Sequence, residues 1–296
     1  MALARFKGSI TALLTPFKDG GVDEAGFQTF VEEQIRDGSH GLVPCGTTGE
    51  SPTLSHEEHE RVVALCVEAS GGRVPVIAGA GSNSTEEAIA LTAHAKREGA
   101  DAALIVAPYY NKPSQEGLFA HFKAINDAVE LPLFVYNIPG RSIVDITPPT
   151  MGRLAELPNV IGVKDATGDL ARVTEQIETC GESFIQLSGD DPTSLAHYAM
   201  GGSGCISVTA NIAASACAAF HEACLGGDYG RARALHASLA PLHRVMFFDP
   251  SPAPVKYAAS LQGRCSPEVR LPLTPCRDAT EEAVRAAMAH AGLSVD

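Results

Sequence analysis

Eight short apolar runs recur along this chain at a fairly regular interval, and helix-like segments lie between most of them. That alternation constrains the fold more than any other feature. The runs are Ser9–Leu14, Gly41–Cys45, Val74–Ala80, Ala102–Ala107, Leu133–Tyr136, Val160–Lys164, Ile185–Ser188 and Gly204–Ser207. They are near-continuous in apolar character, as strands covered by helices must be. Three of the intervening segments carry clear start signals. Ser55 precedes His56–Glu57–Glu58, Ser84 or Thr85 precedes Glu86–Glu87, and Ser114 precedes Gln115–Glu116–Gly117. A hydroxyl there caps the free N–H groups of a first turn, and acid suits the same place. The connection between the last two runs has room for one helix, Asp191–Met200. Strands and helices in this order predict an α/β fold, a parallel (β/α)8 TIM barrel. An open doubly wound sheet fits less well, because the count is eight and no G-x-G-x-x-G turn follows the first strand.

The barrel is expected to close around Ser207. From about Ala210 onward no strand pattern remains, only helical segments near Ala213–Leu225, Tyr229–Met246, Val255–Leu261 and Thr280–Ala291. The first reads as the last barrel helix. Residues 1–225 are therefore expected to form the barrel, and 226–296 a C-terminal helical extension. No low-complexity linker separates the two, so they are expected to pack together.

Charge and cysteine usage narrow the function classes. A net charge of −13 and a pI near 5.2 repel a polyanion, so nucleic acid is not expected as a partner. Small acids stay open, because a local basic group can hold them. No apolar run approaches membrane-spanning length, and the opening segment Met1–Gly8 lacks an apolar signal core. The eight cysteines (Cys45, Cys66, Cys180, Cys205, Cys217, Cys224, Cys265 and Cys276) form no C-x-x-C pair. Several lie in apolar runs and read as small buried hydrophobes of a reducing compartment. A cytoplasmic location, away from membranes, is the expectation.

In such a barrel the chemistry sits at the C-terminal ends of the strands. The sixth run ends in Lys164, one of only seven lysines. An amine placed where a core ends is partly desolvated, which disfavours the ammonium, and a neutral amine attacks a ketone to give a Schiff base. The other strand ends fall on the same rim: Gly46–Thr47–Thr48–Gly49–Glu50, Pro108–Tyr109–Tyr110–Asn111, Tyr136–Asn137–Ile138–Pro139–Gly140–Arg141 and Ser188–Gly189–Asp190–Asp191. Glycines flanking two threonines let N–H and hydroxyl donors converge on a carboxylate. Tyrosine passes a proton when a second hydroxyl shares it, and arginine offers a two-pronged grip on another carboxylate. Taken singly, each of these also reads as a turn, as packing or as a strand cap. Their convergence on one rim is the stronger signal.

These segments, together with Tyr109–Tyr110–Asn111–Lys112–Pro113, Gly162–Val163–Lys164–Asp165–Ala166–Thr167–Gly168, Ser207–Val208–Thr209–Ala210–Asn211 and Arg270–Leu271–Pro272–Leu273–Thr274–Pro275, closely resemble the dihydrodipicolinate synthase family, nearly end to end. The resemblance implies condensation of pyruvate with L-aspartate 4-semialdehyde, on the route to diaminopimelate and lysine, without metal or organic cofactor. It implies that Lys164 forms the imine and that Tyr136, Thr48 and Tyr110 form a hydroxyl relay. The tyrosine matching Tyr110 comes from a neighbouring subunit in this family, so at least a dimer is implied, and most often a homotetramer. Thr47 and Thr48 would hold the pyruvate carboxylate, with Gly189 and Ile206 lining the pocket. Arg141 would receive the semialdehyde carboxylate.

His56–Glu57–Glu58–His59 is not an H-E-x-x-H metal motif, because its histidines are three apart rather than four. The resemblance gives them another use. Ser51, Pro52, His56, His59, Asn83, Glu87 and Tyr109 match the L-lysine feedback site of lysine-sensitive family members. In that match Glu87 meets the inhibitor's ammonium, and Asn83 and Tyr109 its carboxylate end. Pro52 stands where many relatives have alanine and can offer only its carbonyl. Asp165 stands where glutamate is common. Two other readings compete. A sister pyruvate aldolase, acting on N-acetylneuraminate or a keto-deoxy sugar acid, would keep Lys164 and Tyr136 but lack the match to Arg141 and the paired tyrosines. A non-catalytic pyruvate- or lysine-binding protein would have no need of the full relay.

Overall fold

A computed structural model of the chain describes residues 5–295; Met1–Ala4, part of the opening segment discussed above, and Asp296 lie outside it. The strands are β1 (Gly8–Ala12), β2 (Phe17–Lys18), β3 (Gly21–Val22), β4 (Gly41–Val43), β5 (Ile77–Gly79), β6 (Ala102–Val106), β7 (Leu133–Asn137), β8 (Val160–Asp165), β9 (Ile185–Ser188) and β10 (Gly204–Ser207). Eight of them form one parallel sheet in the order β4-β1-β10-β9-β8-β7-β6-β5. The sheet closes on itself through a parallel bridge between Leu42 and Val76. The helices α1 (Glu24–Arg36), α2 (His56–Ser70), α3 (Thr85–Glu98), α4 (Gln115–Ala128), α5 (Pro139–Ser142), α6 (Pro148–Ala155), α7 (Ala171–Cys180), α8 (Ser194–Ala199) and α9 (Ala210–Leu225) follow the strands. This is the (β/α)8 barrel that the alternation predicts.

The closing seam is thin for a chemical reason. Pro44 and Pro75 lie inside the second and third apolar runs and have no N–H to give. β4 and β5 are therefore three residues each, shorter than the expected Gly41–Cys45 and Val74–Ala80. The proline carbonyls still serve: Pro75 O accepts from Leu42 N and Pro44 O from Gly79 N, both at 2.9 Å. The antiparallel pair β2–β3 has no counterpart in the expectation. Its turn is Asp19–Gly20, with φ of +53° and +81°, the Asp-Gly signal of a tight hairpin. The expected helix Asp191–Met200 begins instead as a 3-10 turn, Asp191–Thr193, around Pro192. α9 starts at Ala210 rather than Ala213, and its axis breaks at Ala213, where φ is −137°.

The barrel interior is filled by Ile10, Ala12, Val43, Ile77, Ala102, Leu104, Phe134, Leu187 and Ile206, with Phe6 closing the N-terminal end against Phe134 at 5.3 Å. Large and small residues interlock there: a Cβ on Gly162 would come within 2.7 Å of the Phe134 ring. A second core lies outside the strands, beneath the helices. Three further helices, α10 (Tyr229–Val245), α11 (Ala253–Leu261) and α12 (Asp278–His290), pack on one another and on α9.

Candidate active site

β8 sets the centre of the site. Successive side chains of a strand face opposite ways, so Val163 and Asp165 face the helices while Gly162 and Lys164 face the barrel axis. The register puts Lys164 between Tyr136 of β7 and Leu187 of β9. Lys164 is 6% exposed, and its Nζ lies 4.2 Å from the centre of the Tyr136 ring, a favourable place for a cation. Gly189 leaves the lysine its room, because a Cβ there would stand 3.0 Å from Lys164 Cε. Ile206, from β10, is buried in the interior layer below. Asp165 turns away from the axis. It accepts from Thr167 N at 2.9 Å, Thr167 Oγ1 at 2.6 Å and Gln176 Nε2 at 3.0 Å, and so fixes the turn after β8.

The loop after β4 folds over this end of the barrel. Cys45 and Glu50 bracket it, both in the left-handed region at φ +55° and +54°. The loop approaches β5 so closely that a Cβ on Gly79 would meet Cys45 O at 2.1 Å, so only glycine fits. Thr15 Oγ1 donates to Gly49 O at 2.7 Å and ties the loop to the end of the first strand. Thr48 is buried and Thr47 half-buried. Beyond β7, Asn137 is fully buried. It donates to Asp145 Oδ1 at 2.9 Å and accepts from Ile146 N at 3.1 Å, which folds the chain back after the single turn α5. Arg141 sits on that turn and is exposed.

A cavity of about 640 Å³ opens at this face. Thr47, Tyr136 and Arg141 line one part of it. Ser51, Pro52, His56, His59, Asn83, Glu87 and Tyr109 line the other, so the structure brings together all seven residues of the second expected cluster. Thr48, Lys164, Gly189 and Ile206 are not among its lining residues. Tyr110 is the outlier: its side chain is 88% exposed and reaches away from the cavity.

The second cluster carries its own electrostatics. α2 starts at a capping box in which Ser55 Oγ accepts from Glu58 N at 3.2 Å and Glu58 Oε2 accepts from Ser55 N at 3.0 Å. That cap is worth about 1 kcal/mol, and it holds His56 and His59 at the helix start. His56 Nε2 lies 2.6 Å from Glu87 Oε1, and the Ser82 hydroxyl donates to Glu87 Oε2. These two contacts, Ser82 first, hold the Glu87 carboxyl below its usual range. His59, one helical turn on from His56, points inward. It is 5% exposed, neither ring nitrogen has a partner among the described residues, and burial pushes its pKa down to about 4. Asn83 is also partly committed. Its Oδ1 accepts from Tyr109 N at 2.8 Å and Tyr110 N at 3.0 Å, which caps the paired-tyrosine turn. Ser82 and Gly79 carry no role in the sequence reading. Both lie at the end of the third apolar run, where position alone marked the rim.

Among the described residues no group of three or more histidine, cysteine, aspartate or glutamate side chains could hold a metal ion. No helix among them is long and apolar enough to cross a membrane.

Residues 5–291 match the model of the dihydrodipicolinate synthetase family. A 4-hydroxy-tetrahydrodipicolinate synthase of Parvibaculum lavamentivorans is 64% identical over 288 residues, 97% of this chain and 99% of that protein. Among solved structures, a chloride-inhibited dihydrodipicolinate synthase from Acinetobacter baumannii complexed with pyruvate is similar with a TM-score of 0.95. It is 47% identical and covers 97% of this chain and 99% of its own. The dihydrodipicolinate synthase of Cyanidioschyzon merolae with lysine bound has a TM-score of 0.94 at 38% identity, over 98% and 99% of the two chains. With this sequence match and this barrel, the chain belongs to the dihydrodipicolinate synthetase family and is an enzyme of that family, a lyase.

Proposed function

We propose that this enzyme condenses pyruvate with L-aspartate 4-semialdehyde through a Schiff base on Lys164, giving 4-hydroxy-tetrahydrodipicolinate, and that L-lysine inhibits it. The observation that carries the reading is Lys164 itself, held at the inner rim against Tyr136 and 6% exposed. Its amine adds to the ketone carbon of pyruvate, and water leaves to form the protonated imine. That cation draws electrons from the neighbouring methyl group, so a methyl proton passes to the hydroxyl relay and an enamine remains. The enamine carbon bonds to the aldehyde carbon of the semialdehyde, whose oxygen takes up a proton. The semialdehyde's amino group then attacks the imine carbon and displaces Lys164, which closes the ring and frees the enzyme.

Thr47 and Thr48 hold the pyruvate carboxylate with loop N–H and hydroxyl donors, while Gly189 and Ile206 shape the pocket around it. Arg141 grips the semialdehyde carboxylate at the open side. Tyr136, Thr48 and Tyr110 form the relay. An exposed Tyr110 suits delivery to a second copy of the chain, so the reading includes a homo-oligomer, a dimer within a tetramer. Free thiols throughout suit a cytoplasmic setting.

The pyruvate-bound relative supports the first substrate and the lysine-bound relative supports the inhibitor. In this chain the ionised Glu87 receives the lysine ammonium, and the unpartnered His59 ring, His56, Ser51 and the Pro52 carbonyl surround its stem. The Asn83 amide nitrogen and Tyr109 meet its carboxylate. Turnover of the two substrates, coupled to the next reductase with and without L-lysine, tests both parts. Turnover that falls with lysine is expected. Turnover indifferent to lysine would remove the inhibitor. A borohydride-trapped pyruvate adduct on Lys164 without turnover of the semialdehyde would point to a sister aldolase.

A further inference from the structure

The other buried lysine belongs to no part of that mechanism. Lys256, on α11, is 0% exposed, and its Nζ lies 2.5 Å from Oε1 of Glu50, whose side chain is also 0% exposed. The same ammonium donates to Glu268 O at 2.8 Å and sits 3.8 Å over the ring of Phe17. The second Glu50 oxygen accepts from Arg270 N at 3.0 Å. The Arg270 guanidinium also stacks on Phe17, at 4.2 Å, and its two terminal nitrogens each reach the Glu58 carboxylate at 2.6 Å. It donates further to Thr53 O and Gly20 O, both at 2.9 Å. Two cations of the C-terminal region thus share one aromatic ring, while the Lys256 ammonium and the Arg270 backbone N–H meet on the Glu50 carboxylate.

That carboxylate closes the threonine loop. Glu50 is a non-glycine residue at φ +54°, a conformation that needs outside support. Its N–H donates to Thr47 O at 3.1 Å, and its own O accepts from Thr53 N at 2.9 Å. Gly79 beneath it and Thr15 on Gly49 hold the loop from the barrel, and the contacts of Glu50 hold it from the extension. A buried ion pair is a poor route to stability, since desolvation offsets much of its attraction, but it fixes geometry closely.

We propose that Lys256 and Arg270, the first by its ammonium and the second by its backbone N–H, are positioning residues. Through Glu50 they set the angle at which Thr47 and Thr48 present their donors to the keto-acid carboxylate over Lys164. The inference rests on the role given to Thr47 and Thr48 above. It makes the C-terminal helical region part of the pyruvate site rather than only a support for α9.

The test uses the full-length enzyme and compares the wild type with Glu50→Gln/Lys256→Met, which removes both buried charges at nearly constant volume. Borohydride trapping of pyruvate on Lys164 is measured against pyruvate concentration, beside thermal melting and the KM of the semialdehyde. In the double variant the half-saturating pyruvate concentration is expected to rise about tenfold, because a displacement well below 1 Å costs that much. Trapping at saturating pyruvate and the semialdehyde KM are expected to change far less. Glu50→Asp keeps the charge while shortening its reach, and serves if the double variant does not fold; it is expected to shift pyruvate in the same selective way by about threefold. A folded variant with unchanged half-saturation overturns the proposal, as does one whose two KM values rise together. No adduct on wild-type Lys164 overturns instead the catalytic reading on which this rests.

Discussion

Lys164 and Lys256 are both buried, 6% and 0% exposed, yet their surroundings are opposite. Lys256 has a carboxylate, a backbone carbonyl and an aromatic ring around its ammonium. Burial pushes that ammonium below the usual lysine range, and the Glu50 carboxylate pulls it back. Lys164 has the Tyr136 ring beside it, and that ring lines the cavity. A lysine whose charge is fully met is spent on holding the chain. One beside a ring that lines a cavity is placed, on the proposed reading, where a ketone can reach it. Burial by itself separates neither role; the partners do.

The sharpest way to break this contrast is to remove each amine. Lys164→Ala is expected to lower kcat by at least about 10⁴-fold, since the covalent route goes with it, and to leave the melting temperature unchanged or raised. Steady-state kinetics with a thermal melt checks both halves. Lys256→Met alone leaves the Glu50 carboxylate buried without its partner, and is expected to cost about 3–5 kcal/mol in denaturant unfolding. Equal destabilisation by the two substitutions would erase the distinction. A smaller effect tests the open side of the site. Arg141→Ala is expected to raise the semialdehyde KM by about 10- to 100-fold, the worth of a charged grip, while pyruvate trapping on Lys164 hardly changes. Matching losses for both substrates would make Arg141 structural.

Buried histidines extend the comparison to groups whose burial outweighs the carboxylates near them. Burial pushes His59 and His197 down to about 4, below the ordinary 6.5. The folded state therefore binds fewer protons than the unfolded chain between those values. Stability is fully present above about pH 6.5 and is lost as pH falls toward 4, at about 1 kcal/mol per histidine by pH 5.5. Melts across that range are expected to show the loss, and His197→Leu to flatten it. A slope untouched by that substitution would remove His197 from the account.

Much of the barrel was legible because a strand covered by helices has to be apolar throughout, and the eight runs each overlap an observed strand. Their ends were less so. Pro44 and Pro75 fit an apolar run while denying it hydrogen bonds, which shortens β4 and β5. The β2–β3 hairpin was missed because two-residue strands carry no periodicity, although Asp19–Gly20 marks its turn. The rim position of Lys164 followed from the end of one run. The place of Lys256 could not, since nothing local ties it to a glutamate 206 positions away. Sequence spacing also does not show that the helix turns His59 inward while His56 stays exposed.

Tyr110 carries one more consequence. On the proposed relay, a group that is 88% exposed on its own chain would make catalysis a property of a pair of chains. The rate per molecule then follows mass action. It holds steady while subunits stay associated and falls on dilution once they part, with every other residue of the site still in place.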